Sequence, residues 1–205
     1  MVIINLEKQK REERYNLFID GNFFSGISLD CVVKYGLKNN LELNLDKVKE
    51  IVIESETSYA FNKALKYLSK SMKTEGEIKT YLLGKKINKD CVFLAIEKLK
   101  DYGYINDEQY VKSYIDFYKQ KYGKLILKQN LLKKNINEEI IEKYLDFDED
   151  ENLNLVKNLI EKQLKNKEYN EKLKQKIIRN ILNKGFSYEI IKKAFKQINE
   201  GEDFE

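Results

Sequence analysis

Lysines recur at one position of the sequence where they could contact phosphate groups. Lys85, Lys134 and Lys184 each stand two residues before a large apolar residue, and 49 and 50 residues separate them along the chain. Ammonium groups held at such intervals could follow the phosphate backbone of a nucleic acid. A structural explanation is also open, because a cation near the C-terminus of a helix gains about 0.3 to 1 kcal/mol from the helix dipole.

Other basic residues near these three could widen such a surface. The candidate contact residues are the three lysines together with Lys86, Lys128, Lys133, Arg179, Lys192 and Lys193, although charged residues of this kind are often only solvated surface. With 38 basic against 34 acidic residues, the net charge of +4 allows local basic faces. We therefore expect weak, salt-sensitive binding to single- and double-stranded DNA. Neutralising ~4 phosphates would cost roughly 50-fold on single strands, or about 150-fold on duplex, between ~50 and ~200 mM salt.

Tyrosines mixed with lysines form a second candidate surface. This group comprises Tyr114, Tyr118, Lys119, Lys121, Tyr122 and Lys124, which could stack nucleobases while contacting phosphate. The helical spacing of Tyr110, Tyr114, Phe117 and Tyr118 fits a core-facing stripe better. We therefore favour packing as the role of these rings.

One residue type on which much enzyme chemistry depends is missing. The chain has no histidine, which excludes histidine general acid–base chemistry, Ser-His triads and histidine-containing zinc sites. Cys31 and Cys91 lie in apolar surroundings without a CxxC spacing, so we interpret them as buried structural thiols. The acidic run from Asp146 to Glu151 has no second acidic cluster and is interpreted as a solvated linker rather than a metal site. We predict a protein that is not an enzyme and needs no cofactor or metal.

Composition favours a helical, soluble chain. Proline is absent, 35% of residues are charged and 42% are hydrophobic, which is enough to bury a sizeable core. Val2, Ile3 and Ile4 are followed by mostly polar residues, so no signal-peptide segment forms. No stretch approaches the ~18 apolar residues that span a membrane. We expect a cytoplasmic protein without membrane contact.

The first 45 residues contain signals for strands. Apolar alternation on both sides of Asp20-Gly21 predicts an antiparallel hairpin, because this dipeptide readily takes the positive φ of a tight turn. Ser28 is placed to begin a short helix and Gly36 to end it. The alternation at Leu41, Leu43 and Leu45 indicates a further strand or the lead into the next helix.

After Asp46 the sequence repeats itself three times. Segments ending at Ile87, Ile136 and Phe186 match one another, and we call these three residues the anchors. Apolar residues recur nine residues before each anchor (Ile78, Leu127, Ile177), five after it (Val92, Ile141, Ile191) and nine after it (Ile96, Leu145, Phe195). Asn88, Asn137 and Ser187 follow the anchors as candidate helix caps. Each repeat therefore contains a helix-turn-helix.

A further helix is predicted before each pair, over 59–68, 108–117 and 153–164. The predicted fold is mainly α, with three tandem three-helix repeats stacked in an elongated array behind a small N-terminal module that contains a β-hairpin. We place the N-terminal module and a lead-in helix at 1–57, repeat 1 at 58–105, repeat 2 at 106–150 and repeat 3 at 151–200.

One motif resembles a known family. The segment from Leu99 to Val111 reads LKDYGYINDEQYV, and it is similar to the signature of the RecX family, in which a GYI-D-E segment joins the first and second three-helix repeats. The structural residues of this signature are here Gly103, Tyr104, Ile105, Asp107, Glu108 and Tyr110. We expect Gly103 to end one helix, Tyr104 and Ile105 to dock, and Asn106 to cap the next helix.

The resemblance covers most of the chain but has local departures. Residues 64–68 and 72–78 are similar to the family's first repeat. Where the family often carries arginines, this chain has Ser71, Met72 and Lys73, and the second repeat keeps Tyr122-Gly123-Lys124 without the arginine and proline common beside it. These departures weaken the case for DNA contact at these residues.

What the resemblance implies is a regulator of RecA. A protein of this family would lie in the groove of RecA filaments on DNA, hinder strand exchange and LexA cleavage, and so act in homologous recombination, DNA repair and the SOS response. We expect a monomer whose partners are the RecA filament and DNA. An alternative is a helix-turn-helix protein that binds DNA without RecA, although the third helices carry few side chains suited to base edges. An enzyme is a further, weaker alternative.

Overall fold

The computed structural model describes residues 1–10, 13–146 and 148–202, and within them it is mainly helical with a small antiparallel sheet. The chain divides into two compact units, Met1–Asn106 and Asp107–Glu205. The first contains β1 (Val2–Lys8), β2 (Arg14–Ile19), β3 (Asn22–Ser28), α1 (Leu29–Lys34), β4 (Leu41–Leu43), α2 (Leu45–Leu68), α3 (Glu75–Gly84) and α4 (Lys89–Asp101). The second contains α5 (Asp107–Tyr118), α6 (Lys124–Leu132), α7 (Glu138–Tyr144), α8 (Glu149–Leu164), α9 (Glu171–Leu182) and α10 (Tyr188–Glu202).

The sheet confirms the predicted hairpin and extends it on one side. β2 and β3 pair through a turn in which Asp20 and Gly21 have φ of +47° and +82°. The strand order is β3-β2-β1-β4, with all neighbours antiparallel. β1 was not predicted from the sequence, although Val2, Ile4 and Leu6 alternate there and pack against the sheet's core. β4 confirms the strand alternative at Leu41–Leu43.

The sheet packs on α1 and on the first half of α2. Ile4, Leu17 and Ile27 from three strands are fully buried in this cluster. α1 begins as predicted, since the Ser28 hydroxyl accepts a hydrogen bond from the Cys31 N–H at 3.3 Å, and Gly36 follows its end with φ of +57°. Cys31 and Cys91 are both buried free thiols, as expected, and burial raises the pKa of the Cys91 thiol.

α2 connects the sheet to repeat 1 without a break. The predicted helix 59–68 begins instead at Leu45, so position 57 lies inside a 24-residue helix. Ile51 packs in the sheet's cluster, whereas Ala60 and Ala64 pack with α3 and α4 in a second cluster. Because one rigid helix serves both clusters, the N-terminal module and repeat 1 belong to one compact unit.

The threefold buried pattern is confirmed side chain by side chain. The three anchors and the nine apolar residues that accompany them at equivalent positions keep at most 6% of their surface exposed. A further equivalent position, five residues before the anchor, is also buried in each repeat and carries Leu82, Leu131 and Ile181. Each repeat therefore fills the same internal positions with side chains of similar volume.

The turn before each anchor also recurs. Lys86, Asn135 and Gly185 stand at this position, and their φ angles are +61°, +58° and +88°. The anchors are followed by the predicted caps: Asn88 accepts from the Asp90 N–H at 2.8 Å and Asn137 from the Glu139 N–H at 2.9 Å, while Ser187 accepts from the Ile190 N–H at 3.3 Å. The left-handed turn and the cap together fix the angle between the second and third helix of each repeat.

Two interpretations of the sequence are corrected. The acidic run is not only a linker, because Glu149, Asp150 and Glu151 form the first turn of α8, where acidic residues favour the positive end of the helix. Phe117 does not belong to a core-facing stripe and is 77% exposed. At about 100° per residue it points well away from Val111 and Ile115, the buried residues of α5.

Repeats 2 and 3 meet through backbone at two glycines. The Gly123 N–H, at the start of α6, donates to the Lys184 carbonyl oxygen at 2.8 Å. A β-carbon on Gly123 would lie 2.8 Å from the Phe186 nitrogen and closer still to the Gly185 carbonyl. A β-carbon on Gly185 would lie 2.7 Å from the Ile126 nitrogen. Only glycine at both positions permits this approach of α6 to the turn between α9 and α10.

Gly123→Ala is expected to destabilise the protein by about 1 to 3 kcal/mol, the usual cost of overpacking a filled site. The φ of Gly123 is −76°, which alanine adopts easily, so the effect would be steric. Urea unfolding measures it. The matched control is Gly84→Ala in α3, where a β-carbon meets nothing within 4 Å and stability should stay level or rise. Equal midpoints for both variants would contradict this packing.

Candidate nucleic-acid interface

The three recurring lysines lie in the turn between the second and third helix of their repeats. The Lys85 ammonium lies 5.5 Å from the centre of the Tyr81 ring, and the Lys134 ammonium lies 5.4 Å from the centre of the Tyr110 ring. Lys184 is half-buried, and its carbonyl oxygen accepts the Gly123 N–H. Two of these side chains therefore lie over aromatic faces, a contact that the helix-dipole explanation did not include.

Two of the other candidates have their charge offset by neighbouring carboxylates. Lys128 forms ion pairs with Glu138 at 2.6 Å and with Glu142 at 2.5 Å, and these carboxylates raise the pKa of Lys128. Lys193 pairs with Glu149 at 2.5 Å, which raises the pKa of Lys193 in the same way. An ammonium paired in this way attracts a phosphate less than an unpaired one does.

Four candidates differ from these two. Lys86, Lys133, Arg179 and Lys192 are exposed, and within the described ranges none of them has a carboxylate within ion-pair distance. Arg179 lies on α9 and Lys192 on α10, so both belong to repeat 3. These side chains are the most available of the predicted contacts.

The net charge is distributed unevenly among the repeats. Residues 58–105 carry 10 basic and 5 acidic residues, a net +5, and residues 151–200 carry 12 and 6, a net +6. Residues 106–150 carry 8 basic and 10 acidic residues, a net −2. Repeats 1 and 3 therefore each carry a larger net positive charge than the whole chain, whose net charge is +4. The basic excess of the chain therefore lies in repeats 1 and 3.

Tyrosine rings line the first helix of repeat 2 and the turn that follows it. Tyr110, Tyr114, Tyr118 and Tyr122 pack partly buried against the cluster formed by α5, α6 and α7, and successive rings lie 4.6 to 6.2 Å apart. Burial raises the pKa of Tyr114. The packing role that the spacing favoured is confirmed for Tyr110, Tyr114 and Tyr118, and Lys134 and Lys121 lie over the rings of Tyr110 and Tyr122.

A comparable contact in repeat 1 was missed from the sequence. Tyr67 of α2 stacks on Tyr81 of α3, with ring centres 4.3 Å apart and planes at 13°. Lys73 and Lys85 lie over these rings, at 5.0 and 5.5 Å. In the sequence, this contact is indicated only by the spacing of Tyr81 and Lys85, which are one helical turn apart. The stacking of Tyr67 on Tyr81 gives no local signal, because Tyr67 comes from another helix.

The signature segment forms a tight helix end. Gly103 has φ of +69°, and the Tyr104 N–H donates to the Leu99 carbonyl at 2.9 Å, which is the hydrogen bond of a Schellman cap. Ile105 is buried in the cluster of repeat 1. Tyr104 keeps 54% of its surface exposed and packs edge-on against Phe61. Of the two side chains expected to dock, Ile105 is the buried one.

Glu108 of the signature has a structural contact. Asp107 and Glu108 lie in the first turn of α5. The Glu108 carboxylate accepts hydrogen bonds from the Tyr144 hydroxyl at 2.7 Å and from Lys143 at 3.0 Å. The hydrogen bond from Tyr144 contributes most to lowering the pKa of Glu108, and the hydrogen bond from Lys143 lowers it further. The signature acid thus ties the start of α5 to the end of α7.

Over the ranges that the structure covers, no helix is long and apolar enough to cross a membrane, and no group of acidic or cysteine side chains is arranged to hold a metal ion.

The fold defines a class: mainly helical proteins that place three-helix units after a small antiparallel sheet. Comparison with known proteins makes this specific. Family models match at residues 1–44 (Regulatory protein RecX N-terminal domain), 60–99 (RecX, first three-helix domain) and 149–195 (RecX, third three-helix domain). A regulatory protein RecX from Clostridium perfringens (strain SM101 / Type A) is 34% identical, covering 99% of this chain and 99% of its own.

Two solved structures agree with this comparison. A crystal structure of regulatory protein RecX has a TM-score of 0.65 at 28% identity, covering 94% of this chain and 100% of its own. The crystal structure of RecX from Lactobacillus salivarius has a TM-score of 0.63 at 30% identity, covering 70% of this chain and 97% of its own. The chain belongs to the RecX family of regulatory proteins.

The Glu108 contact predicts a pH dependence. Because folding lowers the pKa of Glu108, its contribution to stability is present above the unfolded pKa and is lost as pH falls through the folded pKa. Wild-type protein should therefore lose more stability between pH 7 and acid than Glu108→Gln, which has no such proton to bind. Urea midpoints at several pH values measure this. Identical pH profiles for the two proteins would contradict the contact.

Proposed function

We propose that this protein regulates recombination by binding RecA filaments on DNA. Membership of the RecX family carries the proposal, because relatives across nearly the whole chain are named regulatory protein RecX and this family resemblance implies a regulator of RecA. In this proposal the protein acts without catalysis, as a monomer in the cytoplasm, and restrains strand exchange and the SOS response by occupying the filament groove.

The distribution of charge supports a second contact, with the DNA backbone. Repeats 1 and 3 carry net charges of +5 and +6, and their exposed basic residues Lys86, Arg179 and Lys192 are suited to phosphate groups. Such contacts carry no sequence information and weaken steeply with salt. DNA therefore adds affinity and orientation, while the protein filament supplies specificity.

The structure offers less support for a protein that reads DNA sequence on its own. The outward positions of the third helices carry mainly lysine, glutamate and apolar residues, and α7 begins with Glu138 and Glu139. A recognition helix needs Arg, Asn or Gln directed at base edges, and an acidic helix start would repel phosphate.

Adding the protein to a RecA DNA-dependent ATPase and strand-exchange assay is expected to inhibit both reactions at ratios below one protein per RecA protomer. Filament binding by a regulator lowers the number of active protomers, so inhibition should increase with the amount added. The control contains the same DNA and protein without RecA. Undiminished ATPase and strand exchange at equimolar protein would contradict the proposal.

Two neighbouring lysines test the DNA contact. Lys192→Gln removes an exposed cation and should lower the slope of log affinity against log salt by about 0.7 on single-stranded DNA. Lys193→Gln is the matched control, because Glu149 already offsets its charge and the slope should change less. Fluorescence anisotropy with labelled oligonucleotides measures both. An unchanged slope in Lys192→Gln would contradict contact at Lys192, and an equal or larger change in Lys193→Gln would contradict the offset of its charge by Glu149.

A further inference from the structure

The outward positions of the third helix differ among the repeats although the buried positions do not. Six and seven residues after the anchor stand Phe93 and Leu94 in repeat 1, Glu142 and Lys143 in repeat 2, and Lys192 and Lys193 in repeat 3. The buried residues on either side of these positions, five and nine after the anchor, are apolar in all three repeats. Packing inside a repeat therefore does not dictate what stands at the outward positions.

In repeat 3 one of these outward positions holds half of an ion pair. Lys193 forms an ion pair with Glu149, which lies seven residues before the buried Val156 of α8. The equivalent residue of α2 lies seven before the buried Ala60, and it is Ile53. The pair Leu94 and Ile53 in repeat 1 thus stands where repeat 3 has a lysine and a glutamate.

In repeat 1, α2 and α4 approach each other near Ile53 and Leu94. The Cys91 sulfur, one turn before Leu94, lies 3.8 Å from the Ile53 carbonyl oxygen. Ile53 is 46% exposed, Phe93 62% and Leu94 42%, and none of the three belongs to a core cluster of the described residues. Three large apolar side chains are therefore exposed to solvent in repeat 1. At two of these positions repeat 3 carries the ion pair of Lys193 with Glu149.

We propose that Ile53, Phe93 and Leu94 form a docking surface for the protein component of the filament. This inference rests on the proposed function, and it assigns one part of that contact to one face of repeat 1. An exposed group of apolar side chains rimmed by polar residues is typical of a protein interaction site.

The charges around these residues favour a protein over a nucleic acid. Lys89 stands four residues before Phe93 and Asp90 four before Leu94, while Glu97 stands four after Phe93 and Lys98 four after Leu94, so both signs flank the apolar centre along α4. A polyanion would be repelled by half of this rim, whereas a mixed rim around an apolar centre is what protein interfaces show. In repeat 3 the positions of Phe93 and Leu94 carry Lys192 and Lys193, and the exposed Lys192 suits phosphate instead.

The size of the surface favours a filament over a second copy of this chain. Three partly exposed side chains offer on the order of 200 to 300 Å², well below the ~800 Å² per partner of a stable pair. A small docking surface is sufficient where other contacts contribute to the same complex, as the DNA contact of the filament would. The partner that fits this surface is therefore a RecA protomer of the filament, which this protein would also contact through the DNA.

The test transfers the ion pair of repeat 3 into repeat 1. Ile53→Glu together with Leu94→Lys leaves the net charge unchanged, and the scaffold already holds this pair in repeat 3, so the double variant should fold. Phe93→Ser is a second variant that adds no charge. Circular dichroism and urea unfolding verify both folds, and anisotropy measures affinity for RecA filaments on single-stranded DNA and for the same DNA alone.

Each folded variant is expected to bind filaments about tenfold more weakly, the effect of losing a central interface residue, and to bind free DNA within about twofold of wild type. Wild-type filament affinity in both folded variants would overturn the docking surface alone. An equal loss of affinity for free DNA would overturn it in favour of nucleic-acid contact. A wild-type dimer that the double variant dissociates would assign the surface to a second copy. Failure of wild type to bind filaments would overturn the proposed function as well.

Discussion

A unit of three short helices can bury only a few large side chains, and each contributes about 1.5 to 3 kcal/mol when fully buried. In this protein every such unit must therefore fill the same few internal positions almost completely. The anchors Ile87, Ile136 and Phe186, with their companions before and after, are buried in all three repeats. The left-handed residue before each anchor and the polar cap after it hold the helix pair around these side chains. The outward surface is then free to change from one repeat to the next.

The surfaces of the three repeats use that freedom. Repeats 1 and 3 are basic and repeat 2 is slightly acidic, although their buried positions are alike. At the outward positions of the third helix, Leu94 and Lys193 occupy equivalent places with opposite chemistry. A repeated frame with different surfaces can bring protein and nucleic-acid contacts into one chain, which suits a regulator whose proposed target contains both.

The sequence was sufficient for the parts of the fold that depend on local spacing. The hairpin turn at Asp20-Gly21 and the three anchors are readable because turn chemistry and helical periodicity act within a few residues. It was insufficient where partners come from distant segments. β1 needed a neighbouring strand, the stack of Tyr67 on Tyr81 needed a second helix, and the offset charge of Lys128 needed α7. Phe117 was assigned to a core-facing stripe because spacing alone does not give the direction of the buried face. Among the candidate contacts, composition could name the lysines, but only coordinates separate the paired Lys193 from the exposed Lys192.

The most direct measurement is an electron cryomicroscopy reconstruction of this protein bound to a RecA filament on single-stranded DNA. We expect α4 of repeat 1 to face a RecA protomer through Phe93 and Leu94, and α10 of repeat 3 to face phosphates through Lys192. A reconstruction in which both helices face solvent, or in which the two surfaces exchange partners, would contradict it.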